Sequence, residues 1–233
     1  MRDTPPDPII PRPPFPSELL IWLSPSFPVG SFAYSQGLEA AVEQGWVTDQ
    51  TTLRIWLIAV IQHGMLKNDL LLMSLVFRTA NSAEIHSLAE LSRAFQPSAE
   101  RAKEALDQGQ NFVVAYQSGW ETQEASVGVF DEFESITFPI AVAMAAHEHD
   151  IDCAATLESY GTAFCSNSLS AAIRLGVIGQ FDGQRVMADL LNEIRATTTI
   201  ALTATLDDIG SATYGIDLAS MLHETQTTRL FRS

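Results

Sequence analysis

The densest set of groups able to do chemistry in this chain is His147-Glu148-His149-Asp150-Ile151-Asp152-Cys153. Nitrogen, oxygen and sulfur donors of these types suit nickel, zinc or copper. His149 and Cys153 stand at i, i+4, so an unbroken helix would put them on one face. The same residues also read as a helix end, with His147 and His149 beside the negative C-terminal dipole and Asp150 or Asp152 capping the next helix. Both readings stand at this point. The acidic groups Asp131, Glu132, Glu134 and Asp207-Asp208 have the chemistry for acid/base work, and equally the character of solvated loops and caps. His63, His86 and His223 each stand alone in the sequence and read as surface or satisfied core residues.

Other catalytic patterns fail on spacing. A phosphate-binding loop needs Gly-Lys-Ser/Thr, but Lys67 follows Leu66 and Lys103 follows Ala102. Gly30-Ser31 is followed by Phe32-Ala33-Tyr34, which is not a nucleophile elbow. No Gly-x-Gly-x-x-Gly run occurs. A binding or scaffolding role therefore fits the residues better than catalysis.

The elements that would carry these groups are helical. Leu53, Trp56, Leu57, Val60 and Ile61 repeat at i, i+3, i+4, i+7, i+8 after a Thr48-Asp49 N-cap, and Val186, Leu190, Leu191 and Ile194 repeat the stripe. Further helices are expected near 35–45, 68–80, 82–94, 98–117, 135–148, 152–176 and 214–225, with breaks at Gly or Pro. Ala141-Val142-Ala143-Met144-Ala145-Ala146 is small and apolar all round, which predicts a helix buried on every side. The fold class is all-α, a single bundle-like domain of about ten helices over 17–233. Residues 1–16, with seven prolines, form an extended arm, read either as a solvated tail or as a recognition motif. Residues 221–233 form a C-terminal tail.

Composition narrows the partners. At 233 residues and 46% hydrophobic content the chain can bury a substantial core. Thirteen Lys+Arg against 28 Asp+Glu give a formal charge of -15, which repels nucleic acid and anionic lipid. The apolar stretches Ile55–Met65 and Leu70–Phe77, divided by Lys67-Asn68-Asp69, are shorter than the roughly 20 residues needed to span a bilayer. The N-terminus has no apolar signal-peptide core. Cys153 and Cys165, twelve apart on one expected helix, would lie roughly 18 Å from one another and stay unpaired. A cytoplasmic protein that binds neither nucleic acid nor membrane is expected.

One segment stands out for its backbone. Ser24-Pro25-Ser26-Phe27-Pro28-Val29-Gly30-Ser31-Phe32-Ala33-Tyr34-Ser35-Gln36-Gly37-Leu38-Glu39 places aromatics where two prolines and glycines keep the chain irregular. Pro25, Pro28 and Gly30 stop a helix begun at Leu19, and Ser31 or Ser35 caps the next. Phe27, Phe32 and Tyr34, fixed on a turn, suit anchors at a protein interface. Replacing Phe32 or Tyr34 with alanine is then expected to weaken assembly more than folding.

This run resembles a signature of the UreF family of urease accessory proteins. The resemblance continues in Gly45-Trp46-Val47, in Phe138 to His147, in Ala172 to Gln180 with Gly183-Gln184, and in Met221 to Ser233. It implies an all-α homodimer that is not itself an enzyme. It further implies a scaffold between UreD (also called UreH) and the GTPase UreG, installing nickel in apo-urease by a GTP-dependent route, with nickel in transit and no intrinsic cofactor. By the same resemblance, Pro28, Gly30, Ser31, Phe32, Tyr34, Ser35, Gly37, Glu39, Arg174, Gln180 and Arg229 are partner-binding positions. Arg229 would hold the tail for UreG or, alternatively, bond the last carbonyls of a C-terminal helix. Arg174 or Arg229 as a GTPase-stimulating finger is a further idea. The rivals are a nickel-binding protein using His147, His149 and Cys153, and a helical protein that binds a small molecule.

Overall fold

The computed structural model describes residues 16–79, 81–121 and 128–233. Except for Pro16, the proline-rich arm expected over 1–16 lies outside the described residues. Among these residues the order is α1 (Ser17–Trp22), a 3₁₀ turn (Ser31–Ala33), α2 (Leu38–Glu43), α3 (Gln50–His63), α4 (Met65–Arg78) and α5 (Ser82–Ala94). There follow α6 (Ala99–Gln117), α7 (Phe138–Glu148), α8 (Cys153–Arg174), α9 (Gln180–Ala201), a 3₁₀ turn (Leu206–Asp208) and α10 (Tyr214–His223). No strand occurs among the described residues, so the chain is all-α as expected. Among the described residues no helix is long and apolar enough to cross a membrane.

Helix starts follow local chemistry. Asp49 caps α3 in a reciprocal box, accepting from the Thr52 amide at 2.8 Å while Thr52 Oγ1 accepts from the Asp49 amide at 3.0 Å. Ser98 accepts from the Arg101 amide to start α6, and Asp152 from the Ala155 amide to start α8. The α7 segment is the centre of the bundle. Pro139 through Ala146 are all buried, and the helix packs against α4, α5, α6 and α8. Its alanines permit close contact on every side.

One boundary differs from the sequence expectation. Lys67-Asn68-Asp69 does not divide two helices; it lies inside α4, and the break falls at Gly64. Asn68 and Asp69 are buried there. Their partners are distant in sequence: Asn68 Oδ1 accepts from the Gly210 amide, and Asp69 Oδ2 from the Tyr160 hydroxyl at 3.1 Å.

Candidate functional site

The signature segment and the C-terminal tail, nearly two hundred residues apart in sequence, build one site. Gly30 and Gly37 both have φ +80°, a left-handed conformation that L side chains rarely adopt. At Gly37 a Cβ would also come within 2.9 Å of the Ser220 amide nitrogen, so glycine alone lets this turn lie on α10. Gly37, rather than Ser31 or Ser35, occupies the N-cap position of α2. Ser31 starts the 3₁₀ turn, whereas the Ser35 hydroxyl accepts from the Glu39 amide at 3.2 Å and supports the first turn of α2.

The tail is held largely by main-chain bonds. The Ser35 amide and hydroxyl both donate to the main-chain oxygen of Ser233, at 2.7 and 2.5 Å. The Arg232 amide donates to the Ala33 carbonyl at 2.8 Å. Glu39 then accepts from two successive tail amides, Leu230 at 2.7 Å and Phe231 at 2.9 Å. Charge-assisted bonds of this kind are about twice as strong as neutral ones. Glu39 Oε2 lies 3.2 Å from His223 Nε2, and His223 Nδ1 lies 2.6 Å from Glu100 Oε2. The two ring nitrogens of His223 thus each face a carboxylate, which links Glu39 to Glu100.

Arg229 completes the chain of contacts. Its guanidinium pairs with Glu100, while Nε donates to the Gln226 carbonyl and a terminal nitrogen to the Glu224 carbonyl. The two roles considered for this arginine therefore coincide: it bonds carbonyls just past the end of α10 and pins the tail at the same time. Arg174 is also committed. One terminal nitrogen donates to the Phe32 carbonyl at 2.6 Å, and the guanidinium carbon stands 3.7 Å from the Phe32 ring centroid and 4.3 Å from that of Phe231. An arginine held between two rings is a clamp, and its reach as a catalytic finger is correspondingly short.

The expected anchors divide by burial. Phe32 is 61% exposed, and Leu230 on the tail 54%. Phe27 is buried on Phe112, with ring centroids 5.4 Å apart, and Tyr34 is buried with its hydroxyl donating to Asp107 at 3.2 Å. Burial is the chief cause that raises the Tyr34 phenol above its ordinary value. Of the three aromatics, only Phe32 faces outward. Ser35, Gly37 and Glu39 are likewise internal, while Pro28, Gly30 and Arg229 are exposed and Ser31 is partly so. Gln180, exposed at the first position of α9, makes none of these contacts.

The metal-like cluster is a helix junction. Helix α7 ends at Glu148, and Asp152 caps α8, so the helical register between His149 and Cys153 is broken. His149 Nε2 faces both the Tyr116 hydroxyl and the Trp120 carbonyl at 3.0 Å. His147 packs edge-on against Phe77. Burial, with Asp152 nearby, pushes the Cys153 thiol up to about 11, away from the thiolate a metal needs. Among the described residues no three His, Cys, Asp or Glu side chains gather as a metal site. Cys153 and Cys165 are both free and share α8.

Sequence reasoning missed His223 and Glu100 as parts of the site. An isolated histidine and a first-turn glutamate carry no local signal, because the contacts that join them span 123 and 184 positions.

A family model described as UreF matches residues 47–191. A urease accessory protein UreF of Rhodopseudomonas palustris strain TIE-1 is 44% identical over 218 residues, covering 92% of this chain and 91% of the relative. One from Bradyrhizobium diazoefficiens is 43% identical with coverage of 92% and 90%. Another from Rhizobium etli is 43% identical with coverage of 92% and 95%.

Proposed function

The chain belongs to the UreF family of urease accessory proteins, and on that premise we propose that it is a scaffold joining UreD to the GTPase UreG while nickel is delivered to apo-urease. It is an accessory and not a catalyst, working in the cytoplasm as a homodimer, with GTP hydrolysis supplied by UreG and nickel as cargo. The observation that carries this reading is the docked tail. It brings Phe32, Leu230 and Arg229 to the outside of one unit tied together by the buried Glu39 and His223 and the partly buried Glu100. Exposed apolar residues held on pinned backbone lose little entropy on binding, which suits a protein interface.

A second surface supports self-association. Tyr214, Leu218 and Met221 repeat at i, i+4, i+7 along α10 with exposures of 83, 47 and 50%. That stripe is the face assigned to the homodimer. Arg174, clamped by Phe32 and Phe231, is assigned to holding the tail.

The experiment is reconstitution. Purified chain is mixed with folded UreD and UreG, the complex is isolated, and apo-urease is activated with nickel, hydrogencarbonate and GTP. A three-component complex that activates urease is expected. Failure to form any complex with the folded partners overturns the reading.

A further inference from the structure

We propose that the cavity beneath the signature turn, where the end of α1, the start of α7 and helices α6 and α8 meet, binds a small oxyanion of carboxylate size through Arg101 and Trp22. The cavity holds about 60 Å³. At about 10–15 Å³ for each water, that is room for roughly four waters or for one molecule of a few heavy atoms.

Two residues that line it carry a buried donor with neither a hydrogen-bond nor an ion-pair partner. The donors are Nε of Arg101 and the indole Nε1 of Trp22, in residues that are 4% and 0% exposed. Guanidinium and indole nitrogens donate and do not accept, so only an acceptor satisfies them. Leaving such a donor unmet in the interior is costly. The start of α7, an eleven-residue helix, reaches the same space through Phe138 and Pro139. Thr137, at its N-cap position, gives it no side-chain bond, because that hydroxyl is shared with Ser92 at 2.7 Å. The end of the helix therefore adds partial positive charge.

Two carboxylates share the wall, and each is accounted for. Glu104 is paired with Arg101 and accepts from the Ser233 hydroxyl at 2.5 Å and the Gln108 amide at 2.9 Å. Asp69 accepts from Tyr160, and burial pushes its carboxyl up to about 7, so its charge is disfavoured there. Gln96 adds a buried Oε1 without a partner. An oxyanion that also carries an O–H, such as hydrogencarbonate, meets this acceptor as well as the two donors.

The test uses the full chain labelled with ¹⁵N, at fixed pH. The Trp22 indole signal, identified by its loss in Trp22→Phe, is followed while formate, acetate or hydrogencarbonate is added, with chloride at matched ionic strength as control. A saturable displacement by at least one oxyanion and none by chloride is expected. Calorimetry with that oxyanion should show affinity reduced about tenfold in Arg101→Lys, which keeps the charge beside Glu104 but loses the fork, and about threefold in Trp22→Phe. A shift that does not saturate, one reproduced by chloride, or unchanged affinity in Arg101→Lys overturns the proposal and leaves the cavity to water. Should Arg101→Lys fail to fold, unchanged affinity in Trp22→Phe overturns it alone.

Discussion

Glu39 and His223, 184 positions apart, meet inside the protein at 3.2 Å, and the same carboxylate receives the amides of Leu230 and Phe231. One side chain on α2 thus fixes both the last turn of α10 and the tail beyond it. Removing the carboxylate leaves His223 Nε2 and the two tail amides without this acceptor, while His223 Nδ1 keeps Glu100.

Glu39→Ala should accordingly free the tail before it unfolds the bundle. A stability loss of ~2–4 kcal/mol is expected from the buried hydrogen bonds left unmade. Hydrogen exchange should accelerate at Leu230 and Phe231 while the α7 amides remain protected. Equal acceleration in both places would show that the tail is not a separate unit.

Phe32 and Tyr34, grouped together on sequence grounds, should behave oppositely. Phe32→Ala removes an exposed ring and one face of the Arg174 clamp, so stability should fall by less than ~1 kcal/mol while recovery of the complex with UreD and UreG drops. Tyr34→Ala empties a buried site and should cost ~3 kcal/mol by chemical denaturation. For Tyr34 this prediction runs opposite to the sequence expectation of weaker assembly more than weaker folding, because the ring is buried.

Asp69 sets a pH dependence with a definite sign. Its folded value of about 7 lies above the ordinary 3.8, so the native state retains a proton that the unfolded chain gives up. Stability from this group is fully present below the unfolded value and is lost as pH rises towards 7, with a constant penalty beyond. Asp69→Asn should match the parent near pH 4 and exceed it by ~2–4 kcal/mol at pH 8. Denaturant titrations at both pH values check this, and a parent as stable as the variant at pH 8 would refute it.

His147 and His149 should prove structural. The double variant His147→Ala/His149→Ala is expected to leave nickel uptake in equilibrium dialysis unchanged. It should lower stability by ~1–3 kcal/mol, because the Tyr116 hydroxyl and the Trp120 carbonyl lose a buried partner. Tight nickel binding that disappears with the two rings would restore the metal reading.

How much of this was legible beforehand depended on range. Asp49, Asp152 and the apolar run 141–146 act within a few residues: Asp49 and the buried helix were legible directly, and Asp152 as one of two candidate caps. Asn68 and Asp69 were misplaced at a boundary, since polar residues in a helix imply exposure unless their partners are known, and those partners sit 142 and 91 positions away. The signature turn was recognised as irregular from its prolines and glycines. Which of its aromatics turn inward is decided by Phe112 and Asp107 on α6, about which the turn itself says nothing.

The bond from Ser35 to Ser233 spans 198 positions. Contacts of such separation pay the largest loop-closure cost, so they close late as a chain folds. During synthesis the turn that carries Phe32 emerges early, yet Ser35 and Glu39 reach their tail partners only after residues 223–233 have followed. Whatever recognises the docked tail therefore meets that surface only once these long-range contacts have closed.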